Sequence, residues 1–458
     1  MNRIAVELSD MHTSSASDSA VPASLDVALR QRVATAFLAL GLFNNSIYVI
    51  ILSAALDLAA EVPKGVILFC NIAPALVAKV GWPYLLRGRV RYSKRIISCT
   101  LLFIAGVLVV AQSTTLHTRL FGITMASFAS GLGEMTCLQL ASTLGEDQVA
   151  NYAVGWFSSG TGAAGFVGAG LWWILRSLGV RLGLSLTSLI PIGYSVAYFL
   201  VLPKDRLKQH KAAYAPVASD EDAVEAEGAE ASDGPAFLVK PISMSEKLAI
   251  ARPLLLRYMA PLFLVYLAEY TINQGISTDL LYPVASANDH FLFKHLIRKL
   301  SDYYPLWQLV YQTLVFVARS STVIFGMPVL PRRLLYLPSL LQVGLVAILA
   351  LEAGHGLLET LFGHQVMLVV LLLIANEGLL GGYAYVSSFS RLSSGNEETE
   401  QTLTPTELVA RKEFRMGCVG FADTLGILTA SLVSMWLEPK LCSIQVDRGK
   451  MLCRQVQE

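Results

Sequence analysis

The sequence predicts an all-α polytopic membrane protein with about eleven transmembrane helices. Three observations carry this. Hydrophobic residues make up 54% of the 458-residue chain and charged ones 15%, where soluble domains carry roughly 25% charged residues. Mean hydropathy is +0.54. Apolar runs of about 20 residues, enough to cross a bilayer, recur along the chain. The net charge of +1 leaves no basic footprint for a nucleic-acid partner.

In chain order, residues 1–32 hold no apolar core of a signal peptide and read as a disordered cytosolic arm. Spans are expected at 33–56, 65–86, 96–113, 120–143, 152–175 and 183–202, which together make an N-terminal six-helix bundle. Pro74 and Pro83 should bend the second span and Pro191 the sixth, because proline removes a ladder hydrogen bond. Residues 203–257 contain "SDEDAVEAEGAEASDG", too acidic and too poor in aromatics to bury a core, and read as a cytosolic acidic linker. Further spans are expected at 258–284, 305–327, 333–352, 365–389 and 415–437, a C-terminal bundle followed by a tail, 438–458. Six spans, a long loop and a second bundle suggest two pseudo-symmetric halves.

Short basic loops orient the chain. Arg87, Arg89, Arg91, Lys94 and Arg95 follow the second span, and Arg30, Arg32, Arg332, Arg333, Arg411, Lys412 and Arg415 agree with them, so the N-terminus is assigned to the cytosol. Between spans seven and eight, Phe293, Leu296, Ile297 and Leu300 fall at i, i+3, i+4 and i+7, opposite Lys294, Arg298 and Lys299. That pattern predicts a lumenal amphipathic helix near 289–301, lying on the membrane surface. Cys70, Cys99 and Cys137 sit singly in apolar runs as small hydrophobes. No cysteine spacing suits a metal, and no metal or cofactor is expected. Cys442 and Cys453, in the polar tail, can pair, carry lipid or do neither.

Ionisable groups inside spans are costly, by about 2.5–3.5 kcal/mol on insertion scales, and tend to have a use. Glu134, Glu269, Arg319 and Glu377 stand out, with Asp423 nearer a span end and more cheaply hydrated. Tyr266, Glu269 and Asn273 share one helical face, as do Gln308, Gln312 and Arg319, and Asn44 with Tyr48. Lipid offers such faces no hydrogen-bond partner, so they should turn inward. The run Asn376-Glu377-Gly378 followed by Gly381-Gly382 can unwind locally and free carbonyls for a ligand. Carboxylates in such a cavity suit proton-coupled transport, and Arg319 suits a carboxylate or phosphodiester. A buried Arg and a buried Glu can also neutralise each other and simply hold two helices together.

Residues 160–165, "GTGAAG", match the glycine pattern of dinucleotide-binding proteins. The required context is missing: the hexapeptide lies inside an apolar run, and no acidic residue occurs between Asp147 and Asp205 to hold a ribose. Gly160, Ala164 and Gly168 recur every four residues instead, beside a row of Thr161, Gly165 and Ala169. Such small-residue rows let membrane helices approach closely, and span one or eight is the expected partner.

The motifs "SFASGLGEMTCLQL" and "WFSSGTGAAGFVGA" resemble the battenin family, the Batten-disease membrane proteins of lysosomes and their fungal vacuolar counterparts. The resemblance continues in order through "VYLAEYTINQG", "LVYQTLVFVARSS", "EGLLGGYAYVSSF" and "KEFRMGCVGFADTLGI", over roughly residues 33–437. It implies a major-facilitator-like two-bundle fold in a vacuolar or lysosomal membrane. It also implies a role in vacuolar pH homeostasis, with transport of basic amino acids such as arginine and lysine or export of glycerophosphodiesters. By resemblance the family's motif residues fall on Glu134, Gly160, Gly162, Gly165, Glu269, Asn273, Gln274, Arg319, Glu377 and Asp423. Animal members end in a prenylation-type cysteine box. Cys442 lies near that place, but the chain runs on to "CRQVQE", which is not such a box.

The expected function is therefore a secondary transporter rather than an enzyme, working by alternating access. Its expected partners are a small-molecule solute, protons and the lipid bilayer. The alternative is a non-transporting scaffold that recruits vacuolar trafficking or proton-pump regulators through its cytosolic arms.

Overall fold

The computed structural model describes residues 26–54, 58, 63–85, 91–144, 147–205, 207, 244–284, 291, 293–393 and 405–457. Most of the arm, the acidic stretch 208–243 and the basic residues Arg87 and Arg89 lie outside the described residues.

Eleven long helical segments follow one another: α1 Val27–Ser53, α2 Lys64–Leu85, α3 Tyr92–Gln112, α4 Leu116–Ser142, α5 Asp147–Leu175, α6 Val180–Val201, α7 Ser245–Ile276, α8 Tyr303–Ser320, α9 Leu337–His355, α10 Val366–Ser393 and α11 Pro405–Asp447. Of the helical segments among the described residues, seven are long and apolar enough to cross a membrane on length and composition alone. Buried polar groups occur both on these seven and on the other helices, and together they build the site.

Prolines shape the helices through the hydrogen bonds they delete. Pro191 opens the second part of α6, which breaks after Thr187 and restarts at Ile190. Helix α2 runs on past Pro74, and Ser127 of α4 serves the backbone there. The Ser127 hydroxyl donates to the Asn71 carbonyl at 2.8 Å and accepts from the Ala75 N–H at 3.2 Å. Helix α7 starts inside the stretch expected to be linker and contains two wide turns, Leu255–Met259 just after Pro253 and Ile272–Ile276. Helix α9 ends at Gly356, whose φ of 65° is the left-handed conformation that glycine adopts without cost.

The packing repeats with an offset of six helices. Helix α1 packs on α5 as α7 packs on α11; α2 packs on α4 as α8 packs on α10; and α2 meets α11 as α8 meets α5. The last two contacts join the halves. One buried core, including Leu138, Leu144, Leu335, Phe389 and Met416, draws on both halves at the end bearing the basic loops. At the opposite end each half keeps its own core: Ile50, Phe103 and Trp172 in one, Tyr282, Trp307 and Leu441 in the other.

Three expectations are corrected. Helix α10 is continuous through Asn376–Gly382 and does not unwind. Its glycines serve close approach, Gly378 against the Tyr311 carbonyl and Gly382 against Ala318. The expected amphipathic helix near 289–301 is a series of turns from Phe293, ending in a single turn at Leu300–Asp302. Phe293 and Ile297 are buried in the core of the second half, and the Asp302 carboxylate binds the Arg298 and Lys299 N–H groups, so the chain is anchored inward rather than laid along a surface. Asp423 is 4% exposed, well inside α11, rather than hydrated near a span end.

Candidate functional site

Small residues bring the halves together. On α5, a Cβ on Gly160 would run into the Leu38 carbonyl of α1, and one on Gly168 would lie 3.1 Å from Val49. Ala164, between them in the row, is fully buried. The adjoining row meets α8, where Gly165 abuts Gln312 and Thr161 accepts from Arg319 Nη1 at 2.6 Å. Through these two rows α5 packs on α1 of its own half and on α8 of the other. The hexapeptide at 160–165 is helical throughout, so its N–H groups belong to the helix ladder and none is presented to a phosphate.

A cavity of about 80 Å³ opens between the halves beside these contacts, lined by Tyr48, Asn71, Lys79, Glu134, Arg319 and Asp423 among others. That volume holds a few waters, so a larger solute requires movement of the helices. Its two cations come from equivalent helices, Lys79 from α2 and Arg319 from α8.

Lys79 is 6% exposed and surrounded by acceptors. Its ammonium lies 3.1 Å from Glu134 Oε2 and 3.5 Å from Asp423 Oδ1, and donates to Thr424 Oγ1 at 2.7 Å and the Gly420 carbonyl at 3.1 Å. Burying a charge costs several kcal/mol unless such partners replace its hydration. Glu134 belongs to the first half and Asp423 to the second, so this cluster ties the halves together. A smaller cavity lies beyond it, lined by Lys79, Met135, Leu138, Gln139, Met416, Gly417 and Gly420.

Arg319 is paired differently. Nη1 donates to Thr161, Nη2 donates to Tyr266 Oη at 2.9 Å, and the guanidinium stacks 4.2 Å from the Tyr385 ring. Among the described residues no carboxylate lies within ion-pair distance, and Nε has no hydrogen-bond partner. Tyr385 in turn reaches Glu134 Oε1 at 3.4 Å, so one ring stands between the Arg319 guanidinium and the acidic cluster. Tyr266 stacks on Tyr270, extending an aromatic wall.

A second polar layer lies behind that wall. The Tyr311 hydroxyl donates to Glu269 Oε1, while Asn273 Nδ2 donates to Glu377 Oε1 at 2.8 Å and Gln308 Nε2 to Asn273 Oδ1 at 2.8 Å. Glu269 and Glu377 each leave the other carboxyl oxygen buried without a partner. Gly381 is where α10 passes the Glu269 carboxyl, and any side chain there would displace it.

The structure therefore brings Glu134, Tyr266, Gln312, Arg319 and Asp423 to the cavity and sets Glu269, Asn273 and Glu377 behind it. Gln274 lies apart, bonded to Tyr304. Sequence reasoning missed Lys79, Tyr311 and Tyr385. Lys79 had a signal, a lone lysine in "NIAPALVAKVGW". The metal-ligand type side chains grouped among the described residues are Asp279, Cys442 and Cys453, but the two sulfurs are joined in a disulfide and are not free to ligate.

The profile of the CLN3 protein family matches residues 35–444. The chain belongs to the CLN3 protein family. Among its relatives is Protein BTN1 of Mycosarcoma maydis, 44% identical with 93% of this chain and 89% of that protein aligned. Protein BTN1 of Cryptococcus neoformans var. neoformans serotype D (strain B-3501A) is 37% identical, covering 93% and 96%. The battenin resemblance of the motifs is thus one of family membership. The fold of this CLN3-family chain is similar to the crystal structure of the human organic anion transporter MFSD10, with a TM-score of 0.51 over 94% of this chain and 99% of that one. At 13% identity the likeness is one of fold, a multi-pass major-facilitator-like membrane architecture.

Proposed function

We propose that this CLN3-family chain is a secondary transporter of the vacuolar or lysosomal membrane. It moves a small solute that carries an acidic group, with basic amino acids and glycerophosphodiesters the first candidates, and so contributes to vacuolar pH homeostasis. One observation carries the reading: a cavity with polar residues in its lining between pseudo-equivalent halves, in which Arg319 faces the space without a carboxylate partner. An anionic group bound there completes the guanidinium's hydrogen bonds. Because the ligands of Arg319 and Lys79 come from both halves, a bound solute changes the relative energy of their arrangements, which alternating access requires. Glu269 and Glu377, one behind the other across α7 and α10, are placed to exchange protons as those helices move.

Orientation has two supports. The shared core lies at the end with the basic loops, so the cavity is shut toward the cytosol in this arrangement. The Cys442–Cys453 disulfide joins the last turns of α11 to the segment after it at the other end, and such bonds persist in oxidising lumens. Both support an N-terminus in the cytosol and a C-terminus in the lumen.

The test is flux of arginine, lysine and glycerophosphodiesters in vesicles carrying the purified protein. No flux with monodisperse protein sinks the proposal. If Arg319→Ala and Glu269→Gln leave function intact in cells while deletion of 215–235 destroys it, the protein acts as a scaffold.

A further inference from the structure

Lys79 occupies a position that a transported solute would also want. Its ammonium fills the space between the Glu134 and Asp423 carboxylates, which face the central cavity from opposite halves. It also lines the smaller cavity on its far side, so the side chain stands between the two spaces. The seam beyond it is loose: a Cβ on Gly417 would meet nothing within 4 Å, and one on Gly420 only a ring carbon of Phe389 at 4.0 Å. Elsewhere on α11 the packing is tight, with a Cβ on Gly65 of α2 coming within 2.6 Å of the Ser431 carbonyl. Between the two cavities stand one cation and its two carboxylates, and the apolar side chains of Met135, Leu138 and Met416 line the space beyond them.

We infer that Lys79 is an internal stand-in for a cationic group of the solute. In this arrangement its ammonium neutralises Glu134 and Asp423 and ties α2 and α4 to α11. A solute bearing an ammonium or guanidinium competes for the same two carboxylates, displaces Lys79 and releases the tie between the halves. Arg319 and the Lys79 cluster then form complementary subsites for one solute carrying both charges, separated by the Tyr385 ring that touches each. Coupling follows without any added part, since the carboxylates that recognise the solute are the ones through which Lys79 ties the halves. This rests on the transporter reading for its consequence, but the competition itself is a binding property.

The test uses full-length protein in detergent with methylammonium as the probe and thermal unfolding as the readout. Lys79→Ala protein should bind methylammonium at least about tenfold more tightly than native protein, because its site is no longer occupied from within. Lys79→Arg should behave as native. If Lys79→Ala does not yield folded protein, the charge-balanced Lys79→Ala/Asp423→Asn variant retains Glu134 as acceptor, and the same gain over native is expected. Equal affinities in native and variant proteins, or tighter binding by the native one, overturn the inference. Variants that capture methylammonium in a protein whose vesicles move no solute would refute the transporter reading and leave the assignment of Lys79 standing.

Discussion

At the residue scale, Arg319 carries the sharpest expectation, because its guanidinium is held by two hydroxyls and a ring rather than by a counter-charge. Arg319→Ala should lower solute uptake by about tenfold or more, the loss that follows removal of a charged hydrogen bond to a ligand. Arg319→Lys should recover only part of it, since an ammonium does not present a planar fork to Thr161 and Tyr266. Unchanged uptake in Arg319→Ala vesicles would remove the residue from the site. Along α5, Gly160→Ala should lower stability by about 1–3 kcal/mol through overpacking against α1. Gly170→Ala, with nothing within 4 Å, should be neutral in the same detergent melt. Glu134, Arg319 and Asp423 were legible as charges in apolar runs. Lys79 was not, because a lysine toward the end of a span reads as one that snorkels to the interface. Tyr311 and Tyr385 are ordinary aromatic residues until their partners on other helices are known.

At the element scale, α2 tests how a proline is accommodated. Ser127→Ala removes the hydroxyl that serves both Asn71 and Ala75, and should cost about 1–3 kcal/mol, the range for leaving buried backbone groups unpaired. In a Pro74→Ala background the cost should shrink, because the ladder can close directly once the ring is gone. Equal costs in both backgrounds would show that the proline plays no part. The existence and order of the helices could be read from hydropathy, yet the state of α10 could not. Its glycines suggested unwinding, as they would in water. Inside a bilayer the freed backbone groups find no substitute partner, so the helix persists and the glycines serve contact with α8 and Glu269. Likewise the spacing of Phe293, Leu296, Ile297 and Leu300 fits a helix, but Phe293 and Ile297 are the two that are fully buried, Leu300 packs against their core, and Leu296 remains 49% exposed. Two anchors one turn apart are satisfied by turns as well as by a helix.

At the scale of the whole molecule, the two-bundle plan was legible because composition and loop charge report on the bilayer, which acts along the entire chain. Which helices are neighbours was not, since the decisive pairs are more than three hundred residues apart. The cysteines offer a check on the global arrangement. Denatured, unreduced protein isolated from its membrane should titrate four thiols, Cys70, Cys99, Cys137 and Cys418, and all six after reduction. Six thiols before reduction would argue against a lumenal C-terminus. A buried ion pair joins Lys64 to Glu438 at 2.7 Å, at the end where the two halves otherwise keep separate cores. Lys64 and Lys79 are fifteen residues apart on α2, and Glu438 and Asp423 are fifteen apart on α11, so the antiparallel helices meet in matching register at both pairs. The seam is in effect a lever with its pivot at Lys64–Glu438. Its arm is about 22 Å, so a tilt of about ten degrees parts Lys79 from Asp423 by about 4 Å, enough for water to enter, while the pivot stays bonded.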